Sequence, residues 1–307
     1  MKAAQINEYG DASVIAVVDI EKPTIQSNQV LVEVHASSLN PFDTIIREGY
    51  MKEMIPLQFP VTLGGDIFGK VVELGADVNH IAVGDMVYGQ ANVVAGNSGA
   101  LAEYAATVGT QVATAPKNLT PDEAASLPLV GVSALQALTE HIGLKAGQKI
   151  LITGGSGGIG QIAIQIAKHL GAYVATSASG EGVELAKALG ADEVFDYKTE
   201  DYAVKLHGYD AAFDTVGGDE LNRTISVLKD GGTAVSMAGQ PQQKEGIQSI
   251  SQMTHVSTEK LDQLTKLVEA GVVRPNVGKV FTLEDIQQAF ELREAGTMGK
   301  VVITIKM

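Results

Sequence analysis

The segment Thr153-Gly154-Gly155-Ser156-Gly157-Gly158-Ile159-Gly160 constrains the fold more than any other stretch of this 307-residue chain. It follows an uninterrupted apolar run, Lys149 to Thr153, of the kind buried on both faces of a parallel sheet. After it, Ile159, Ile162, Ala163, Ile166, Ala167 and Leu170 share one helical face, and Gly171 supplies the stop. Strand, glycine turn and helix in that order begin a βαβ unit. Gly155-x-Gly157-x-x-Gly160 in that setting is the pattern of a dinucleotide-binding turn. Its glycines permit a tight turn, close backbone approach to a pyrophosphate, and close packing of helix on strand. The helix N-terminus then offers unpaired N–H groups and the positive end of its dipole to phosphate.

Two other patterns overlap the same residues. TGxxxGIG is the cofactor turn of short-chain dehydrogenases, which place it near the N-terminus and pair it with Tyr-x-x-x-Lys. No tyrosine here has lysine four positions later; Tyr202 and Lys205 miss the spacing by one. Gly154-x-Ser156-x-Gly158 is a nucleophile elbow, which would make Ser156 a hydrolase serine. Asp214 and His255 would follow it in the required order, but order is weak support in a chain with 6 histidines and 36 acidic residues.

Beyond the turn, strands and helices keep alternating. Strands are expected at Tyr173 to Ser177, Glu193 to Tyr197, Ala211 to Asp214 and Thr233 to Met237. Helices are expected at Val183 to Leu189 and around Leu221 to Leu228, which makes this part a doubly wound α/β sheet. The first ~115 residues differ: Gln29 to Ala36 alternates at period two, and short apolar runs are punctuated by glycines, as in a small barrel or sandwich. The texture changes near Pro121, where acidic residues open a helix. In the tail, helices are expected at Glu259 to Ala270 and Leu283 to Ala295, with a last strand at Lys300 to Ile305. The pattern leaves open which sheet that strand joins.

Composition narrows the chemistry. With no cysteine, disulfides, thiolate zinc sites, iron–sulfur clusters and cysteine nucleophiles are excluded. A formal charge of −14 and no dense Lys/Arg cluster argue against nucleic acid. No secretory leader or membrane-spanning run is evident, so the expectation is a cytoplasmic protein with no membrane partner.

The second strand speaks to cofactor choice. An NAD site usually carries an acid about twenty residues past the first glycine. Here that region reads Thr176-Ser177-Ala178-Ser179-Gly180, whose hydroxyls suit a 2′-phosphate and favour NADP(H). Glu181 follows at once, either repelling that phosphate or lying solvated in a first helical turn.

Several further blocks fall in a telling order. They are Ser38-Leu39-Asn40-Pro41-Phe42-Asp43, the run from Gly64 to Val72, Gly84-Asp85-Met86-Val87-Tyr88-Gly89, and Ala124-Ala125-Ser126-Leu127-Pro128 followed by Gly131-Val132-Ser133-Ala134-Leu135. Asp214-Thr215-Val216-Gly217-Gly218 and Gly299-Lys300-Val301-Val302 complete the set. With the glycine turn, these make nearly the whole chain resemble the zinc-independent quinone oxidoreductases of the medium-chain dehydrogenase/reductase superfamily, the group that includes zeta-crystallin. The resemblance implies an α/β protein with a GroES-like β-barrel catalytic domain, residues 1–120 and 272–307, around a Rossmann dinucleotide-binding domain, residues 121–271. It implies cofactor and substrate meeting in the cleft between domains, and a homodimer.

The implied activity is NADPH-dependent hydride transfer to a quinone or α,β-unsaturated carbonyl, without zinc; some relatives are cofactor-binding proteins with little turnover. Ser156, Gly157, Gly158 and Ile159 would line the pyrophosphate, and Ser177, Ser179 and Tyr197 the adenosine ribose with its phosphate. Val216, Met237, Ala238 and Gly239 would pass the ribose and nicotinamide, with Asn40, Ser133 and Lys300 at the nicotinamide end. Asn40 is the candidate oxyanion donor and Tyr50 a candidate proton donor or pocket wall. His35, inside the 29–36 strand, reads as a core residue. The zinc-dependent cousins ligate metal through Cys and His, whereas this chain has Asp66 in the relevant block.

Overall fold

A computed structural model describes residues 1–306 and divides into two compact units. The first combines Met1–Leu129, Val256–Glu269 and the chain from Pro275 onward; the second is Val130–His255 with Ala270–Arg274.

The first unit opens with β1 (Lys2–Ile6), β2 (Ala16–Asp19) and β3 (Gln29–Ser38), followed by β4 (Val61–Thr62), β5 (Asp66–Leu74) and β6 (Met86–Gln90). Its N-terminal part ends with β7 (Tyr104–Val108) and β8 (Val112–Thr114). β1 lies antiparallel between β2 and β4 in a small sheet. β3 is the spine of a larger one, antiparallel to β5 and β7. Its period-two pattern predicts a half-buried strand, yet only Glu33 and His35 are partly exposed along it. Helix Pro121–Ala125 packs on β3 as well, so the polar alternation is sheltered rather than solvated. Glu33 meets Lys306 and Tyr104, and His35 lies 3.6 Å from Glu33 with its ring edge-on to Phe68.

The second unit is a parallel sheet of β9 (Lys149–Ile152), β10 (Tyr173–Ala178), β11 (Glu193–Asp196), β12 (Tyr209–Asp214), β13 (Leu228–Ser236) and β14 (Gln248–Ser251). The spatial order is β11-β10-β9-β12-β13-β14. Counted from β9, this is 3-2-1-4-5-6, the doubly wound order that reverses direction between its first and fourth strands. Ile150, Leu151 and Ile152 are fully buried, as the apolar run required. Helix Gly158–His169 lays Ile162, Ala163, Ile166 and Ala167 on β9 and β10, and Gly171 at φ +81° ends it. β14 has no counterpart in the sequence reading. Its four residues, Gln-Ser-Ile-Ser, carry one aliphatic side chain, too few for a period.

The tail returns to the first unit. β15 (Val277–Thr282) runs parallel to β16 (Lys300–Thr304), and β16 is antiparallel to β3, with Val302 opposite Ser38 and Thr304 opposite Ala36. The last strand therefore completes the N-terminal β unit. Helix Ile286–Ala295 buries Ala289 and Phe290 in a core with Ile6, Leu63, Leu101 and Ile303. No helix of the described residues is long and apolar enough to cross a membrane.

Helix Thr258–Glu269 also packs in the first unit, against β8. The fully buried Tyr88 on β6 donates its hydroxyl proton to the Leu261 carbonyl at 2.6 Å and lies 2.9 Å from the Thr265 hydroxyl. Tyr88→Phe removes both hydroxyl contacts from a buried place and is expected to cost about 1–2 kcal/mol in urea unfolding. Unchanged stability would show that these bonds do not hold the helix.

Candidate functional site

The reversal point of the second unit lies between β9 and β12, where ligands of such sheets collect at the carboxyl ends of the strands. The glycine turn follows β9 there. Gly154 takes φ +71°, and the Gly155 N–H donates to the Ser177 carbonyl at 2.9 Å. A Cβ on Gly155 would lie 2.2 Å from Thr176 Oγ1, and one on Gly160 would lie 2.2 Å from the Gly154 carbonyl oxygen. Only glycine fits either place. A Cβ on the exposed Gly157 would lie 3.2 Å from the Gly154 carbonyl oxygen, a tight contact but far less severe than those at Gly155 and Gly160. Gly157 is also the N-cap of helix Gly158–His169, and no side chain caps that end. The Gly158 and Ile159 N–H groups are thus left for a ligand. Gln161 braces the turn by donating to the Ser156 carbonyl at 2.7 Å. These residues could hold a dinucleotide pyrophosphate, with Gly155 and Gly160 the two whose lack of a side chain the packing requires.

Across the reversal point, the buried Asp214 ends β12 and ties three neighbouring strands together. Its carboxylate accepts from Thr153 Oγ1 at 2.7 Å, Ser236 Oγ at 2.8 Å and the Gly217 N–H at 3.1 Å. Thr153 just follows β9 and Ser236 ends β13, so one carboxylate fixes the rim where a ligand would lie. Sequence reasoning gave Asp214 only as part of a motif and as a possible triad acid. Its partners are hydroxyls and backbone, not a histidine, and the exposed His255 engages Gln136 through its backbone N–H. Among the described residues no histidine is bonded to Ser156, so the hydrolase reading has no assembled triad. Beyond Asp214, Val216 is 55% exposed, Gly217 and Gly218 have positive φ, and the Ala238 N–H donates to Ser236 Oγ at 3.0 Å. Ser133 is buried, its Oγ 2.6 Å from Thr254 Oγ1, which in turn lies 4.0 Å from the Met237 sulfur. Gly239, two residues beyond Met237, takes φ +154°.

The end of β10 separates residues that the sequence grouped. Ser177 is buried and accepts from the Gly154 N–H at 3.3 Å, so it supports the turn. Ser179 Oγ donates to Tyr197 Oη at 2.9 Å, a hydroxyl pair on the surface with Tyr197 53% exposed. Glu181 is exposed in the first turn of helix Glu181–Ala188.

The first unit holds a second polar cluster. Asn40 precedes helix Pro41–Arg47 and is 2% exposed. Its Nδ2 donates to Asp66 Oδ2 at 2.8 Å, and its Oδ1 accepts from Lys300 Nζ. Lys300 also donates to the Leu39 carbonyl at 2.9 Å and lies 3.8 Å from Asp66. Burial lowers the Lys300 pKa from its ordinary value, opposed by the charges of Asp66 and Asp43. Asp66 accepts further hydrogen bonds from Ser38 Oγ, Gln90 Nε2 and the Leu129 N–H. Tyr50, just after Gly49, is 77% exposed.

Two family descriptions match the chain: "Alcohol dehydrogenase GroES-like domain" over residues 26–117 and "Zinc-binding dehydrogenase" over residues 189–303. The chain is 36% identical to a 2-methylene-furan-3-one reductase of Solanum lycopersicum, covering 99% of this chain and 79% of that protein. It is 35% identical to an NADPH-dependent alkenal/one oxidoreductase, chloroplastic, of Arabidopsis thaliana, with the same coverage. The structure of the quinone oxidoreductase from Coxiella burnetii superposes with a TM-score of 0.92 at 34% identity, over 100% of this chain and 99% of that one. The chain belongs to the medium-chain dehydrogenase/reductase superfamily. Its first unit accordingly contains the GroES-like domain, and its parallel sheet is the Rossmann domain of that superfamily.

Because one matching description names zinc, the donor set matters. The chain has no cysteine, and among the described residues no three His, Asp or Glu side chains converge on a point where a metal could sit. Asp66 is occupied instead by an amide, a hydroxyl and an ammonium group. The residues present do not fit a catalytic zinc.

Asp43 supplies a pH test of this cluster. Burial pushes its carboxyl up to about 7, against the Asn40 N–H that donates to it at 2.7 Å. The folded state then holds this proton where the unfolded chain has lost it, so stability should fall as pH rises from about 4 to about 7. Asp43→Asn keeps an acceptor for Asn40 and is expected to flatten that decline in urea unfolding. An unchanged slope in the variant would assign the pH dependence elsewhere.

Proposed function

We propose that this superfamily member is an NADPH-dependent reductase that passes hydride to a quinone or an α,β-unsaturated carbonyl. The observation that carries the proposal is the glycine turn at the reversal point. It joins an uncapped helix N-terminus to glycines whose Cβ positions are blocked, and relatives over nearly the full chain are named as reductases of such acceptors. NADPH rather than NADH is favoured by the Ser179–Tyr197 hydroxyl pair and by the absence of an acid at the end of β10. Glu181 works against the preference.

Ser156, Gly157, Gly158 and Ile159 hold the pyrophosphate in this reading, and Val216, Met237, Ala238, Gly239 and Ser133 flank the ribose and nicotinamide. The bound nicotinamide supplies the hydride; the electron pair displaced in the acceptor collects on its carbonyl oxygen. Asn40 donates to that oxygen, and Tyr50 or solvent returns the proton. The enzyme acts without zinc, as a homodimer in the cytoplasm.

The test is to mix the protein with NADPH and a panel of quinones, enals and enones while following the nicotinamide absorbance. Steady oxidation on at least one class is expected. Tight cofactor binding with no turnover on any acceptor would overturn the enzyme reading in favour of a cofactor-binding protein. Gly157→Val provides an independent check, because a side chain there needs the turn to give by only a few tenths of an ångström while it would stand in the way of a pyrophosphate. NADPH affinity is expected to fall at least about tenfold, ~1.4 kcal/mol, with a much smaller loss of folding stability. Equal loss of affinity and stability would mean the turn was damaged rather than the ligand excluded.

A further inference from the structure

Lys300 is expected from sequence at the nicotinamide end, and its surroundings point to a further task. Its side chain is 8% exposed, and its ammonium donates to the Leu39 carbonyl and to Asn40 Oδ1 and forms an ion pair with the Asp66 carboxylate at 3.8 Å. What the ammonium does control is the Asn40 amide. An ammonium only donates and a carboxylate only accepts. With Lys300 on one side and Asp66 on the other, only Oδ1 can face the lysine and only Nδ2 the aspartate. Turning the amide over would set NH2 against NH3+ and a carbonyl against a carboxylate. One Nδ2 hydrogen goes to Asp66, and among the described residues no protein acceptor takes the other. The ammonium on Oδ1 also polarises the amide and strengthens that remaining N–H as a donor.

We propose that Lys300 is a positioning residue that works through Asn40, fixing its amide so that one N–H is always presented to the oxygen that turns negative during reduction. The proposal rests on the reductase reading above. Lys300 is strand β16 and Asn40 the end of a loop after β3, so the backbone pairing of Val302 with Ser38 sets their distance. The charged groups facing the ammonium are Asp66 from β5, Asp43 from helix Pro41–Arg47 and Arg293 from helix Ile286–Ala295. Alkaline pH removes the lysine proton and with it the restraint on the amide.

The experiment is a double-mutant cycle of Lys300→Met and Asn40→Ala, read by kcat, KM and NADPH affinity in the absence of acceptor. Asp66 keeps donors from Ser38, Asn40, Gln90 and Leu129, which supports folding of the lysine variant. Lys300→Met is expected to lower kcat about tenfold while NADPH affinity stays within about twofold, and the double variant should be no slower than Asn40→Ala alone. Multiplying effects, or a loss of NADPH affinity matching the loss of rate, would overturn the proposal. The alkaline limb of kcat should also move to higher pH in Lys300→Arg, whose charge persists; an unmoved limb counts against it, and this arm stands if Lys300→Met fails to fold. A readout without turnover separates this inference from the reductase reading. The two Asn40 Nδ2 protons, identified in a 1H–15N spectrum by their loss in Asn40→Ala, should shift in Lys300→Met or above the lysine pKa. Unchanged resonances would sink the proposal even if wild-type protein reduced every acceptor, and shifted ones would support the restraint even if it reduced none.

Discussion

The approach of Gly160 to the Gly154 carbonyl decides where the rest of the second unit can go. A methyl group at Gly160 would sit 2.2 Å from that oxygen, so a helix carrying any other residue there must stand off from the strand. With glycine, the helix settles over β9 and β10, its apolar face closes the sheet, and its N-terminus comes to rest at the reversal point. Packing and ligand placement are therefore one constraint. The residues that bury the helix also aim its free N–H groups at the strand ends.

Asp214 extends the constraint across the rim. Parallel strands end in loops that would otherwise diverge, yet a single buried carboxylate takes hydrogen bonds from residues at the ends of β9 and β13 and from the turn after β12. The loops on both sides of the reversal point are thereby set against one frame. Sequence reasoning saw Asp214 as a motif member but had no means of seeing this. Its two hydroxyl partners are 61 and 22 residues away, and no local period links them.

The first unit solves a similar problem with opposite charges. Lys300 and Asp66 are buried ionic groups that would each be costly alone. Together with Asn40, Ser38 and Leu39 they form a hydrogen-bonded set in which each charge faces a partner. Asn40 and Lys300 were both legible as candidate site residues. That one acts on the other was not, because the chain between them contains the entire second unit. Likewise Ser177, Ser179 and Tyr197 look alike in sequence as hydroxyl donors. The structure turns Ser177 inward to the glycine turn and leaves the other two as a surface pair.

The sequence alone determined the doubly wound sheet, the dinucleotide turn and the absence of thiolate chemistry. Each rests on local information: a hydrophobic period, a glycine that only a tight turn requires, or a residue type that is missing altogether. It did not reveal the edge strand Gln248–Ser251, whose one aliphatic residue leaves no period. The destination of strand Lys300–Thr304 was equally hidden to patterning, since an apolar strand satisfies either sheet until hydrogen-bond partners are chosen. Tertiary structure made that choice by pairing it with β3. In doing so it brought a lysine to an asparagine 260 residues away, a meeting that follows from sheet pairing and leaves no mark in the local sequence.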